Sequence, residues 1–304
     1  MSLDRRRFLR ITAAGVAGGA ISPALPLRSL FGTEPPGDFR TLRRNVGIFT
    51  ERGGTMGWLA NDEGIAVVDS QYPDTARNFL AGLPGRGGRE VDVLLNSHHH
   101  GDHTAGNEVF RDETRRIVAH ARARELHREV GGADAEGALA DTTFQETWAM
   151  DVGDERVVAH HFGPAHTGGD SVIHFERADV VHMGDLVFNR AYPFIDRPGG
   201  ASVRGWIELL EAVIAEHDRD TVFVFGHGRS GFGVTGDRRD LRVQADFLSA
   251  LLEQAERAIR AGRSRDEVEE VSEIPGFPDH EALADWLSAG AALAAAWDEL
   301  SEGG

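Results

Sequence analysis

Four of the chain's 14 histidines stand within six residues, in Ser97-His98-His99-His100-Gly101-Asp102-His103-Thr104. Neutral imidazole and carboxylate are the donors that suit Zn²⁺, Mn²⁺ or Fe²⁺ at neutral pH, and this many in one segment are enough for two adjacent ions. Residues 91–96 form a compact apolar run that reads as a strand. The cluster therefore sits on the loop at a strand's C-terminal edge, where sheet proteins commonly place their chemistry. His98 and His100, two apart, point the same way from an extended segment, and His99 between them points away. Gly101 permits the turn that brings Asp102 and His103 round. Three later segments again set a ligand-type residue beside glycine at a strand end: Gly163-Pro164-Ala165-His166-Thr167-Gly168-Gly169-Asp170, Met183-Gly184-Asp185-Leu186 and Phe225-Gly226-His227-Gly228. Together they supply His98, His100 and His166 for one metal and Asp102, His103 and His227 for a second, with Asp185 able to bridge both.

What the chain lacks narrows the chemistry further. Its 304 residues contain no cysteine, and all 32 basic residues are arginine. That excludes thiolate zinc sites, iron–sulfur clusters, cysteine nucleophiles and lysine Schiff bases. A water activated on a metal would need neither side chain, so the composition agrees with a metal-dependent chemistry. Beyond Asp185 the segment Asn189-Arg190-Ala191-Tyr192-Pro193-Phe194-Ile195-Asp196 offers Tyr192, Phe194 and Asp196 as candidate lining of a substrate cleft. His120, His127, His160, His161, His174, His182, His217 and His280 read as packing or surface residues. Gly85-Arg86-Gly87-Gly88 lacks the lysine of a phosphate loop and reads as a turn.

The order of the metal-type segments resembles that of the metallo-β-lactamase-fold superfamily, whose histidine motif has the form H-x-H-x-D-H. The resemblance spans roughly residues 46–228. It implies an α/β (α+β) chain folded as a four-layer αβ/βα sandwich, with the site at one edge of the two sheets. It also implies that Asp69, in Val67-Val68-Asp69-Ser70, supports the metal ligands from behind. Phe225 departs from the pattern, standing where proline is common. The cofactor implied is two Zn²⁺, with Fe or Mn as alternatives, holding a bridging hydroxide that Asp102 orients and whose proton it relays. The activity implied is hydrolysis of a small ester, thioester, lactone or lactam. The superfamily leaves three other readings open: a β-lactamase proper, a mononuclear iron enzyme of the persulfide dioxygenase kind, and a non-catalytic periplasmic metal-binding accessory protein. Aspartate at 185 weighs against a dedicated lactamase, because those members generally carry cysteine or serine there. Seven filled ligand positions favour two metals over one iron.

These side chains require elements to hold them. Short apolar runs separated by turn residues predict strands over 46–50, 57–60 and 65–69, a helix over 74–83, and the strand over 91–96. A strand over 116–120, a helix over 121–130, and strands near 144–150, 156–162, 172–175, 180–183 and 221–225 follow, with an amphipathic helix over 203–216. After Asp237 everything reads as helical, with 237–261 and 280–300 as the long candidates. They are expected to pack on the same domain. Trp286 and Trp297 lie on an alanine-rich helix as a core stripe or a dimer face.

The N-terminus has a different character. Asp4-Arg5-Arg6-Arg7-Phe8-Leu9-Arg10, followed by a Gly/Ala-rich apolar run, resembles a twin-arginine export signal over 1–30, followed by a linker and lead-in over 31–45 and the catalytic domain over 46–236. The apolar run is short for a membrane span and is interrupted by Pro23 and Pro26. The signal is therefore the chain's one expected membrane contact, and the periplasm or exterior its expected location. The formal charge is −17, and without residues 1–30 it becomes −21. Such a field disfavours nucleic acid and leaves a small molecule as the expected partner. The pattern specifies no oligomeric state.

Overall fold

A computed structural model describes residues 37–302. The export-signal reading and residues 31–36 of the lead-in lie outside the described residues. The first sheet runs in chain order through β1 (Asp38–Arg43), β2 (Val46–Thr50), β3 (Met56–Ala60), β4 (Ile65–Val68), β5 (Val93–Leu95), β6 (Ile117–His120) and β7 (Thr142–Phe144). It is antiparallel from β1 to β4 and parallel from β4 to β7. Strands β8 (Thr147–Val152), β9 (Glu155–His160), β10 (Val172–Phe175) and β11 (Val180–His182) begin the second sheet. Next, β12 (Phe188–Asn189) leaves that sheet, β13 (Val222–Val224) rejoins it beside β11, β14 (His227–Gly228) pairs in parallel with β12, and β15 (Thr235–Gly236) closes the edge on β13.

The period-2 geometry of a strand sorts the apolar residues into three cores. Val46, Ile48, Ala66, Val68, Val93, Leu95 and Val118 face Val157, Ala159, Ile173, Phe175, Val180 and Val224 between the sheets. Their sequence neighbours Phe49, Ile65, Val67, Leu94 and Ile117 point outward, onto Phe79 of helix α1 (Pro73–Gly82). Helices α2 (Gly101–Thr104) and α3 (Asn107–Phe110) follow β5, and α3 adds Phe110 to this core, which α4 (Ala121–Gly131) joins through Ala123. On the second sheet Val172, Val181 and Phe223 face the third core. It is shared by α5 (Val203–Glu216), α6 (Arg238–Arg260), α7 (Arg265–Glu269) and α8 (Ala289–Glu302). The layers are thus helix, sheet, sheet, helix, the αβ/βα sandwich, and α6 and α8 belong to its outer layer.

Three segments differ from the sequence reading. Residues 38–43, placed in the lead-in, form edge strand β1; its Asp-Phe-Arg-Thr-Leu-Arg sequence is mostly exposed and so carries no apolar run. The stretch near 144–150 divides between β7 and β8, which belong to different sheets. Residues 280–288 are not the start of the last helix, which begins at Ala289, where the Ser288 hydroxyl accepts from the Ala291 amide (3.0 Å) and ends the preceding loop. Trp206 of α5 is fully buried in the third core, and its indole N–H donates to the Leu186 carbonyl (2.9 Å) just beyond Asp185. Trp206→Ala is expected to cost about 3–5 kcal/mol. Urea unfolding measures it, and a loss under about 1 kcal/mol would contradict this anchoring role.

Candidate metal centre

The site grows from the C-terminal ends of β4 and β5. Because these strands are parallel neighbours, the residues that leave them, Asp69 and Ser97, lie side by side. Asp69 takes a left-handed conformation (φ 64°), which its short polar side chain tolerates. Its amide donates to the Leu95 carbonyl (2.8 Å), and the carboxylate accepts from the Ser97 amide (2.7 Å), the Ser97 hydroxyl (2.8 Å) and His103 Nδ1 (2.8 Å). Helix α2 supplies Asp102 and His103, the segments after β9 and β11 supply His166 and Asp185, and His227 opens β14.

His98 Nε2 lies 3.0 Å from His100 Nδ1, which lies 3.1 Å from His166 Nε2. The other ring nitrogen of each histidine has an acceptor outside the group. His98 Nδ1–H donates to Ser97 Oγ (3.0 Å), His100 Nε2–H to Asp196 Oδ2 (3.1 Å), and His166 Nδ1–H to the Phe194 carbonyl (2.8 Å). This network assigns tautomers in which three lone pairs converge with no proton between them, an arrangement that a cation relieves. Burial, reinforced by the neighbouring imidazoles, holds His98 well below the ordinary histidine range and His166 at about 3, so both are neutral donors.

The second group joins His227 Nε2 to Asp102 Oδ2 (3.1 Å), with His103 Nε2 3.6 Å from the same oxygen. Asp185 stands between the groups. Its Oδ1 is 3.0 Å from His103 Nε2, and its Oδ2 is 3.3 Å from His227 Nε2, 3.6 Å from His166 Nε2 and 3.8 Å from His98 Nε2. His103 Nε2 and Asp185 Oδ1 are buried and meet each other at 3.0 Å without hydrogen-bond geometry, and neither has another hydrogen-bond partner. Polar atoms left this way are costly unless something else satisfies them, and the donors of both groups lie close enough together to hold a metal ion. Burial alone would lower His103 and His227, but the carboxylates of Asp185 and Asp102 outweigh it. His103 is raised well above its usual value and His227 to about 9. A side chain at Gly226 would collide with Asp185 Oδ1, and one at Gly54 with the His103 ring, so glycine is what permits this packing.

The donor set is nitrogen and carboxylate only, which fits a divalent ion such as Zn²⁺, Mn²⁺ or Fe²⁺. All seven proposed ligands, His98, His100, His166, Asp102, His103, Asp185 and His227, come together, and Asp69 lies directly behind them. Phe194 lines the adjoining cleft of about 440 Å³ and also supplies the carbonyl behind His166. Tyr192 does not line it. The backbone of 190–192 pairs with Glu281, and the Tyr192 ring is buried beside the stacked Phe247 and His280 rings. Asp196 is likewise absent from the cleft lining and anchors His100 instead, while His99 turns its Nε2 toward the same carboxylate (3.5 Å). The sequence reading missed Ser97, legible only as the residue ending an apolar run, and the cleft residues Tyr72, Phe188, Leu283, Trp286 and Leu287.

Two outcomes follow. Asp196→Ala is expected to weaken metal affinity about 10- to 100-fold, read by competition with a chelator; unchanged affinity would refute its anchoring of His100. In the metal-free protein His103 and His227 hold protons at pH 7 that an ion must displace, so affinity falls as pH falls from 9 to 6. Zinc addition to a weakly buffered solution is expected to release at least about one proton per chain; no release would contradict the protonated state.

Comparison with known proteins agrees with this geometry. Residues 49–237 match the family described as the metallo-beta-lactamase superfamily. A 2,4-dinitroanisole O-demethylase subunit alpha from Nocardioides is 25% identical over 54% of this chain, which spans only 45% of that relative's length. A metallo-beta-lactamase type 2 from Elizabethkingia meningoseptica is 23% identical over 68% of the chain and 86% of the relative. For a hydroxyacylglutathione hydrolase from Methylococcus capsulatus the figures are 25%, 75% and 90%. The solved structure of a metallo-beta-lactamase from Pontibacter korlensis superposes with a TM-score of 0.60 at 19% identity, covering 70% of this chain and 99% of that one. With its motif residues gathered at the sheet edge and the family match spanning more than half its length, the chain belongs to the metallo-beta-lactamase superfamily.

Proposed function

We propose that this protein is an exported, dinuclear zinc hydrolase that cleaves a small ester, thioester, lactone or lactam. The observation that carries the reading is Asp185, a buried carboxylate between the two donor groups, with Oδ1 3.0 Å from His103 and Oδ2 within 3.8 Å of His227, His166 and His98. Divalent ions held by these residues would supply Lewis acidity, lowering the pKa of a bound water to about 7 and polarising a scissile carbonyl. The chain supplies everything else. His98, His100 and His166 form one binding group, Asp102, His103 and His227 the other, and Asp185 joins them.

Asp102 also reaches the cleft, where its side chain is 25% exposed. Burial raises its pKa, but His103 and His227 outweigh that and keep it below the usual carboxylate range. It is therefore ionised at neutral pH and placed to accept a proton from the attacking water. In the overall reaction the acyl carbon–heteroatom bond breaks, water's oxygen stays with the acyl group, and a proton passes to the leaving group. The hydroxyacylglutathione hydrolase relative, aligned over 90% of its length, supports an acyl-transfer chemistry of this kind. The arginine-rich segment Arg5-Arg6-Arg7 supports export, and the net charge of −17 supports a small-molecule partner over nucleic acid.

Metal analysis of the purified protein is expected to give two zinc per chain, whereas a single iron would overturn the hydrolase reading. Against a panel of ester, thioester, lactone and lactam substrates, His98→Ala is expected to lower kcat/KM by at least about 10²–10³-fold. Equal turnover by the variant would remove the metal centre from the chemistry.

A further inference from the structure

The metal-facing side of the cleft is polar, formed by His100, Asp102, Asp185 and His227. Most of the remaining lining is apolar, and it comes from two places. Phe188 and Phe194 follow Asp185 in the chain, while Leu283, Trp286 and Leu287 belong to the loop before α8, well past the family match that ends at residue 237. That loop is fastened to the site. The Tyr192 amide donates to the Glu281 carbonyl (3.0 Å), and Arg229 pairs with the Glu281 carboxylate (2.9 Å) two residues after His227.

At the mouth Trp286 stands edge-on to Phe194, with ring centroids 5.3 Å apart at 84°. Trp286 is nonetheless 62% exposed and Leu283 38% exposed, two of the five large hydrophobic residues left exposed among the described residues. Apolar surface held open beside a reactive centre gains free energy only when something apolar covers it. No arginine lines the cleft among the described residues, and the chain has no lysine. The nearby Arg52 lies over the Tyr72 ring (4.1 Å) and is paired with Asp74 (2.5 Å). Arg197 and Arg265, in the adjoining pocket that shares Phe194, Trp286 and Leu287, are paired with Glu299 and Glu302 and with Glu269 and Asp298, so among the described residues a substrate's carboxylate would find no unpaired arginine at the cleft.

We infer that Leu283, Trp286 and Leu287 form an acyl-specificity wall that selects uncharged substrates with an extended apolar chain over carboxylate-bearing ones such as β-lactams or glutathione thioesters. This inference rests on the hydrolase reading for its reaction, but the wall has a binding consequence of its own. Longer acyl chains cover more of Trp286 and Leu283, so affinity rises about three- to fourfold per buried methylene until the wall is covered.

The test uses the metal-loaded protein, Trp286→Ala and Leu283→Arg. Both positions are exposed enough to change without opening a core. The probes are 4-nitrophenyl esters from acetyl to octanoyl, a matched ester ending in a carboxylate, and the neutral fluorophore N-phenyl-1-naphthylamine as a binding readout. The expected results are a kcat/KM that climbs with chain length, at least tenfold discrimination against the carboxylate-ended ester, and at least a tenfold drop in the octanoyl-to-acetyl ratio in Trp286→Ala. Fluorophore affinity should fall in parallel in both variants. If esters are hydrolysed with a flat chain-length profile that Trp286→Ala leaves unchanged, the wall is overturned and the hydrolase stands. If no ester turns over but fluorophore binding depends on Trp286 and Leu283, the wall stands and the hydrolase reading falls. Fluorophore binding that neither variant alters overturns the wall whatever the turnover.

Discussion

The centre depends first on the carboxylate of Asp69. Buried just past the end of β4, it takes both donors of Ser97, two residues past the end of β5, and the Nδ1–H of His103 from α2. Through the Ser97 hydroxyl it orients His98 in one donor group, and through His103 it orients the other. One side chain thus sets the tautomer of a histidine in each half of the site and ties both to two adjacent parallel strands. A buried carboxylate is costly to maintain without such a full set of partners, and here each bond that stabilises it also positions a ligand.

Outward from Asp69, support passes to less regular structure. Asp196 and the Phe194 carbonyl, which back His100 and His166, lie on the irregular chain after β12, and that chain is pinned in turn by Glu281. The fold thereby divides its work. The strand ends fix the donor atoms, and the loop before the last helix furnishes apolar lining of the adjoining cleft. The two are joined where Phe194 contributes its backbone to a ligand and its ring to the cleft.

How far the sequence foretold this follows from the same division. Ligands beside glycine at the ends of apolar runs were legible because local geometry dictates them: a parallel strand delivers its last residue to the sheet edge, and glycine lets the loop close over it. The alternation of Ile65 to Val68 and of Val93 to Leu95 likewise carries both cores in a few residues. That Phe194 faces the cleft while Tyr192 and Asp196 do not was not legible, because the segment is held by a pairing of Ala191 with Glu281, some 90 residues later. Trp286 looked like part of a helix because alanine and leucine continue through 280–300, and only the Ser288 cap shows where the helix begins. Strand β1 was hidden because an exposed edge strand needs no apolar pattern.

The central claim is that two donor groups and a shared aspartate make one dinuclear centre. Anomalous diffraction at the zinc edge from crystals of the zinc-loaded protein tests it most directly. The account predicts two peaks about 3.5–4 Å apart, one against His98, His100 and His166, the other against Asp102, His103 and His227, with Asp185 touching both. A single peak on the three histidines, with His103 and His227 still bound only to carboxylates, would contradict it.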